Sequence, residues 1–316
     1  MSIGFYPLIT TILLLVVHYF TGALDWPADG DVQAQRDFNS AIGMSALTGY
    51  FWFAIRLLHQ NVASSLISLL VKSNQLSQFS RHRSLLTLEF KHHIFNTAVV
   101  SILITVSYVV VEGLLSTKQE LRVLVLTATA VPFWFLMWLY LIQLTSNIRY
   151  LSNHILTKVA KGNDYLTSLV VLVRLGVANA FISLGAIIIV PIFWFKKSIP
   201  SLDLFILTLF TGILLGYLCL PVYRFKKRLR EEQQVLLLDI ENKIKREIKT
   251  YKESQQGDIS RKVELLESEK EVVSTVSSGV LLFRDHARMT TMALLVPLSW
   301  GIIKMIEWLV ANSITQ

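Results

Sequence analysis

One cysteine in 316 residues, Cys219, leaves no partner for an intramolecular disulfide. It falls inside an apolar run, where it reads as a small packing residue. Charge is also scarce. Asp, Glu, Lys and Arg make up 16% of the chain against 53% hydrophobic residues, and mean hydropathy is +0.52, which argues against an ordinary soluble domain. Glycine-rich phosphate loops, nucleophile elbows and paired acidic motifs are missing, so neither an enzymatic activity nor a cofactor is expected. Metal chemistry has no better footing: His92 and His93 are adjacent and point different ways on a helix, and His82, His154 and His286 stand alone. Asp29-Gly30-Asp31 lacks the remaining ligands of a calcium loop.

What the chain does have is seven long apolar runs, at about residues 4–20, 41–58, 95–115, 122–145, 168–195, 202–222 and 290–311. Each approaches the ~20 residues that a helix needs to cross ~30 Å of hydrocarbon. Backbone polar groups find no water in lipid, so the runs are expected to be helices. The expected fold is therefore all-α: a polytopic membrane protein, multi-pass in a plasma or cell membrane, with seven transmembrane helices. Three regions follow: 1–222, six spans with extensions; 223–289, an amphipathic helical hairpin; and 290–316, a last span with a short tail. The first run reads as a span because Met1–Leu8 contains no Lys or Arg to begin a signal peptide. Cleavage near Ala23 would leave six spans.

Basic residues divide unevenly between the two sides. Lys72, Arg81, Arg83 and Lys91 follow the second run, Arg149, Lys158 and Lys161 follow the fourth, and fifteen more lie in the insert from Tyr223 to Met289. With Arg56 and Arg174 at the same side, only Arg36, Lys118, Arg122, Lys196, Lys197 and Lys304 remain for the other. Positive-inside asymmetry then puts the N-terminus in the cytoplasm and the C-terminus outside. That is opposite to G-protein-coupled seven-helix receptors. The net charge of +8 is accounted for by loops facing anionic headgroups, so the lipid bilayer is the expected partner and nucleic acid is not.

The insert has its own periodicity. Leu229, Leu236, Ile240, Ile244, Ile248 and Tyr251 repeat at helical spacing, and Ile259, Val263, Leu266, Val273, Val276 and Val280 form a second stripe. Gly257 and Asp258 between them supply a turn and an N-cap. An amphipathic hairpin needs a surface for its apolar stripe. The stretch Val62–Phe79 and the region Ile148–Ala160 are the expected partners in a shared cytoplasmic bundle; other copies of the chain are the alternative.

Charges within apolar runs are costly unless paired or hydrated, so they mark candidate sites. Lys304 and Glu307 in the last run are neighbours on one helix face, with Trp300 and Trp308 four residues either side of Lys304. They read either as headgroup-level residues or as a gating pair. Glu112 in the third run is a further candidate. Thr291, Leu295, Leu298, Ile302 and Met305 form one stripe of the last run, the expected lining of a hydrated path. Asp25, Asp29, Asp31 and Asp37 form either an ordinary solvated loop or an external cation vestibule. Gly176, Asn179, Gly185 and Pro191 make the fifth run the best candidate for a broken, transporter-like helix.

Seven helices, an inside N-terminus, and cytoplasmic extensions joined before a separate last span resemble the insect odorant and gustatory receptor superfamily. The resemblance is one of architecture over the whole chain. The family's Thr-Tyr and Gln-Phe pairs are not matched, since Thr290-Thr291 is followed by Met292. It implies a tetrameric, ligand-gated cation channel anchored by cytoplasmic helices and lined by the last span. The expectation is thus a homo-oligomeric channel or channel-like chemoreceptor for a small-molecule ligand, with a secondary transporter and a non-conducting scaffold as alternatives.

Overall fold

The computed structural model describes residues 3–28, 30–111, 120–197, 201–254, 259–278, 294 and 298–309. All regular structure among them is helical. The helices are α1 (Phe5–Phe20), α2 (Val32–Lys72), α3 (Phe79–Val111), α4 (Leu121–His154), α5 (Asn163–Ile189), α6 (Ser201–Ser254) and α7 (Ile259–Ser278), followed by a terminal helix α8 at 298–309. Among the described residues four helical stretches, Val32–Lys72, Leu76–Val111, Leu121–Lys158 and Asn163–Trp194, are long and apolar enough to cross a bilayer, and α1 is a shorter apolar helix.

Several helices outrun the apolar segments that nucleate them. α2 has 41 residues, about 60 Å at 1.5 Å per residue, twice a hydrocarbon core. Its start is fixed by Asp31, whose Oδ1 accepts the N–H groups of Gln33 at 3.1 Å and Ala34 at 2.9 Å. α4 runs uninterrupted through Pro132, and the 54-residue α6 through Pro221. The boundary expected at 222/223 is therefore internal to one helix of about 80 Å. The expected turn at Gly257 and Asp258 lies outside the described residues.

α2 is the central helix, packed against α1, α4 and α5, with α3 on the outer side of α4 and α6 on the outer side of α5. Close approach is made at small residues. A Cβ on Gly176 of α5 would lie 2.8 Å from Val222 Cγ2 of α6, and one on Gly185 would overlap the Tyr50 hydroxyl. That hydroxyl donates to the Ile182 carbonyl at 2.5 Å, so Gly185 is what lets α2 reach the α5 backbone. α5 is continuous from Asn163 to Ile189, and Pro191 follows it in a short 3-10 turn, Val190–Trp194. The broken helix expected of a transporter is not formed here: Gly176 and Gly185 serve helix packing.

Packing is tightest toward one end of the bundle. Leu66, Leu69, Leu70, Leu151, Leu156 and Leu166 are each at most 2% exposed. This places Val62–Phe79 and Ile148–Ala160 in one core, as their amphipathic spacing predicts. His82 Nδ1 and the Tyr150 hydroxyl lie 2.9 Å apart across it, and His154 stacks on Tyr150. The α6–α7 hairpin joins the same core through Leu229, Ile240 and Val273, as expected of a shared bundle. It docks on α5, with Arg228 over the Tyr165 ring at 5.6 Å. Within it, Gln233 Nε2 donates to the Val273 carbonyl at 2.8 Å, and Lys270–Glu241 (2.7 Å) and Lys262–Glu247 (3.5 Å) pair in antiparallel register.

Candidate functional site

At the end of the bundle opposite that core, distant segments converge on the turn after α5. Asn39 Nδ2 donates to the carbonyls of Phe193 (3.2 Å) and Phe195 (2.8 Å). Lys196 adopts φ +54, an uncommon left-handed conformation for a residue with a Cβ. Two contacts hold it: its Nζ lies 4.7 Å above the Trp26 ring, and its N–H donates to Glu307 Oε1 at 2.8 Å. Glu307 Oε2 in turn accepts from Lys304 Nζ at 2.7 Å, and Trp194 packs on Trp300 with centroids 6.0 Å apart.

The terminal helix is consequently two-faced. Trp300 and Glu307 meet the fold. Leu298, Ile302 and Met305, about 160° away from them at 3.6 residues per turn, stay 54%, 49% and 56% exposed. Lys304 and Glu307 are thus neighbours as their spacing predicts, but they stand away from the Leu298–Ile302–Met305 stripe rather than beside it. Thr291, Leu295, Glu112 and Asp29 lie outside the described residues. The other aspartates do not make a common surface: Asp31 caps α2, Asp25 is exposed, and Asp37 is buried 3.7 Å from both Arg36 and Arg122.

A second polar assembly lies between α2, α3 and α4. Gln143 Oε1 accepts from His59 Nε2 at 3.3 Å and from Asn147 Nδ2 at 3.2 Å, while its Nε2 donates to His93 Nδ1 at 2.7 Å. Beside it, the Ser146 hydroxyl donates to Glu89. Two cavities of about 480 Å³ flank this seam. One, between α2 and α3, is walled by His59, Phe90, Gln143 and Asn147. The other, where Tyr217 of α6 reaches across to donate to Thr145 Oγ1 at 2.8 Å, is walled by Glu89, His93, Ser146, Arg149 and Trp138.

Sequence reasoning missed this seam. Its members come from three helices, and none forms a motif with its chain neighbours. The available signal was the cluster of polar and charged residues at the same-side ends of the third and fourth apolar runs: Glu89, His93, Gln143 and Arg149. No group of three or more His, Cys, Asp or Glu side chains among the described residues is placed to hold a metal.

These features define an all-helical integral membrane protein with long extensions beyond its apolar segments. Comparison with protein-family models, curated proteins and solved structures finds no match to this chain.

Proposed function

We propose that the protein spans the membrane seven times, with its N-terminus and the α6–α7 hairpin in the cytoplasm, and acts as a homo-oligomeric channel or channel-like receptor with the terminal helix at the symmetry axis. The observation that carries this reading is the division of that helix. Trp300 and Glu307 tie one face to the protomer. The opposite face, Leu298, Ile302 and Met305, stays exposed among the described residues and forms one stripe that could line a path. Four copies is the number implied by the architectural resemblance, and an enzymatic role is not part of the proposal. Arg122, Lys196 and Lys304 lie at the end opposite the hairpin, which agrees with their grouping on one side by alternating spans.

The test is ion flux through the purified protein in liposomes. An Ile302→Asp change is expected to raise cation preference, because it adds a carboxylate to the pore face. Lys304→Ala, on the other side of the helix, is expected to leave selectivity unchanged. A parent protein silent under every applied potential and ligand, or selectivity moved by Lys304→Ala and not by Ile302→Asp, would contradict the reading.

A further inference from the structure

The cavity between α3, α4 and α6 is graded along its length. α4 carries Trp138, Leu141 and Ile142 toward the middle of the span, then Thr145, Ser146 and Arg149 toward the hairpin end, about 16 Å in all. α3 contributes Glu89 and His93 to the polar end, and α6 contributes Ile213 to the apolar end. Two opposite charges therefore share one pocket, and no ion pair joins Glu89 to Arg149. Glu89 is held by Ser146 instead, and the Arg149 guanidinium is exposed without an ion-pair partner among the described residues. α6 packs on α5, and the Tyr217–Thr145 hydrogen bond bridges the opening to α4.

The geometry points to a binding site for a zwitterionic amphiphile of the phosphoethanolamine type: its phosphate on Arg149, its ammonium on Glu89, and its chain along Trp138, Ile142 and Ile213. Guanidinium suits a phosphate because it offers several donors in a fixed plane. A primary ammonium suits the carboxylate because it can donate, as a quaternary one cannot. The polar end lies at headgroup depth and the apolar end at acyl depth, so the same chemistry serves a bilayer phospholipid or a free single-chain amphiphile. The site rests on the membrane assignment alone and requires no pore.

The experiment uses the full chain in phosphatidylcholine nanodiscs containing a trace of phosphatidylethanolamine with a photoactivatable diazirine on its acyl chain. Labelling is mapped by mass spectrometry, with phosphatidylglycerol carrying the same group as the comparison. The ethanolamine probe is expected to mark the segments holding Trp138, Ile142 and Ile213 at least fivefold above the glycerol probe. Arg149→Gln and Glu89→Gln should each remove most of that excess, as should Ile213→Trp, which fills the pocket from an exposed position on α6. Competition by single-chain lysophosphatidylethanolamine identifies a free amphiphile as an alternative occupant; its failure assigns the site to the bilayer lipid. Equal labelling by both probes, or an excess unmoved by all three substitutions in proteins of unchanged melting temperature, would overturn the site. Loss of the site with ion flux intact leaves the pore standing, and labelling without flux leaves the site standing.

Discussion

The carboxylate of Glu307 accepts the backbone N–H of Lys196 at 2.8 Å, joining positions 111 residues apart in the chain. The bond anchors the terminal helix to a turn whose own backbone is strained at φ +54. Glu307→Ala leaves that N–H without its acceptor and is expected to cost about 1–3 kcal/mol. Lys304→Ala removes only the exposed side of the pair, worth about 0–1 kcal/mol. Thermal unfolding in detergent should rank the two in that order.

The Tyr50–Gly185 approach gives a second expectation. Gly185→Ala places a methyl group against the Tyr50 hydroxyl and should destabilise by about 1–3 kcal/mol through overpacking. In a Tyr50→Phe background the hydroxyl is gone, so the same change should cost less. A double-mutant cycle by chemical unfolding reads this coupling directly; additive costs would show that Gly185 is not there to admit Tyr50.

Gln143 holds three side chains from two neighbouring helices and its own. Gln143→Leu keeps the volume but strands His59, His93 and Asn147 without their shared partner. Leaving a buried polar group unpaired costs about 1–3 kcal/mol, so this change should rank among the most damaging single substitutions in α4. Hydrogen exchange should report loosened α2 and α3 next to His59 and His93, with the α6–α7 hairpin unaffected.

In the hairpin, the hydrogen bond from the Lys270 ammonium holds the Glu241 carboxyl below its ordinary value of 4.5, and the Lys270 charge adds to the effect. A depressed carboxylate contributes its stabilisation in full above the ordinary value and loses it as pH falls through the lowered one. Carboxyl NMR of the full chain should show Glu241 titrating at lower pH than in a Lys270→Ala variant. Contact between α6 and α7 should be insensitive to pH from neutrality down to about 5.

Much of the architecture was legible because membrane helices announce themselves by length. Apart from Gly4 and the turn after α5, the described parts of the apolar runs are helical, and the stripes of Val62–Phe79 and Ile148–Ala160 meet in one core. Periodicity tells which side chains share a face; it does not tell which neighbour that face meets. The hairpin shares the core with those two stretches through Leu229, Ile240 and Val273, but its contacts with α5 have no signal in the periodicity. Pro221 reads as punctuation in the sequence, yet α6 continues through it, as apolar helices with packed neighbours can. The seam at Gln143 was illegible on different grounds. Its partners are 84 and 50 residues away, and each is ordinary in its local context.

The two-faced terminal helix can be tested directly by oxidative cross-linking in native membranes. In a Cys219→Ser background, Ile302→Cys and Met305→Cys should give disulfide-linked dimers of the chain, while Trp300→Cys, on the anchored face, should not. Dimers from the first two alone would place the Leu298–Ile302–Met305 stripe between copies. Monomers throughout, or equal cross-linking from both faces, would contradict an axis built on that helix.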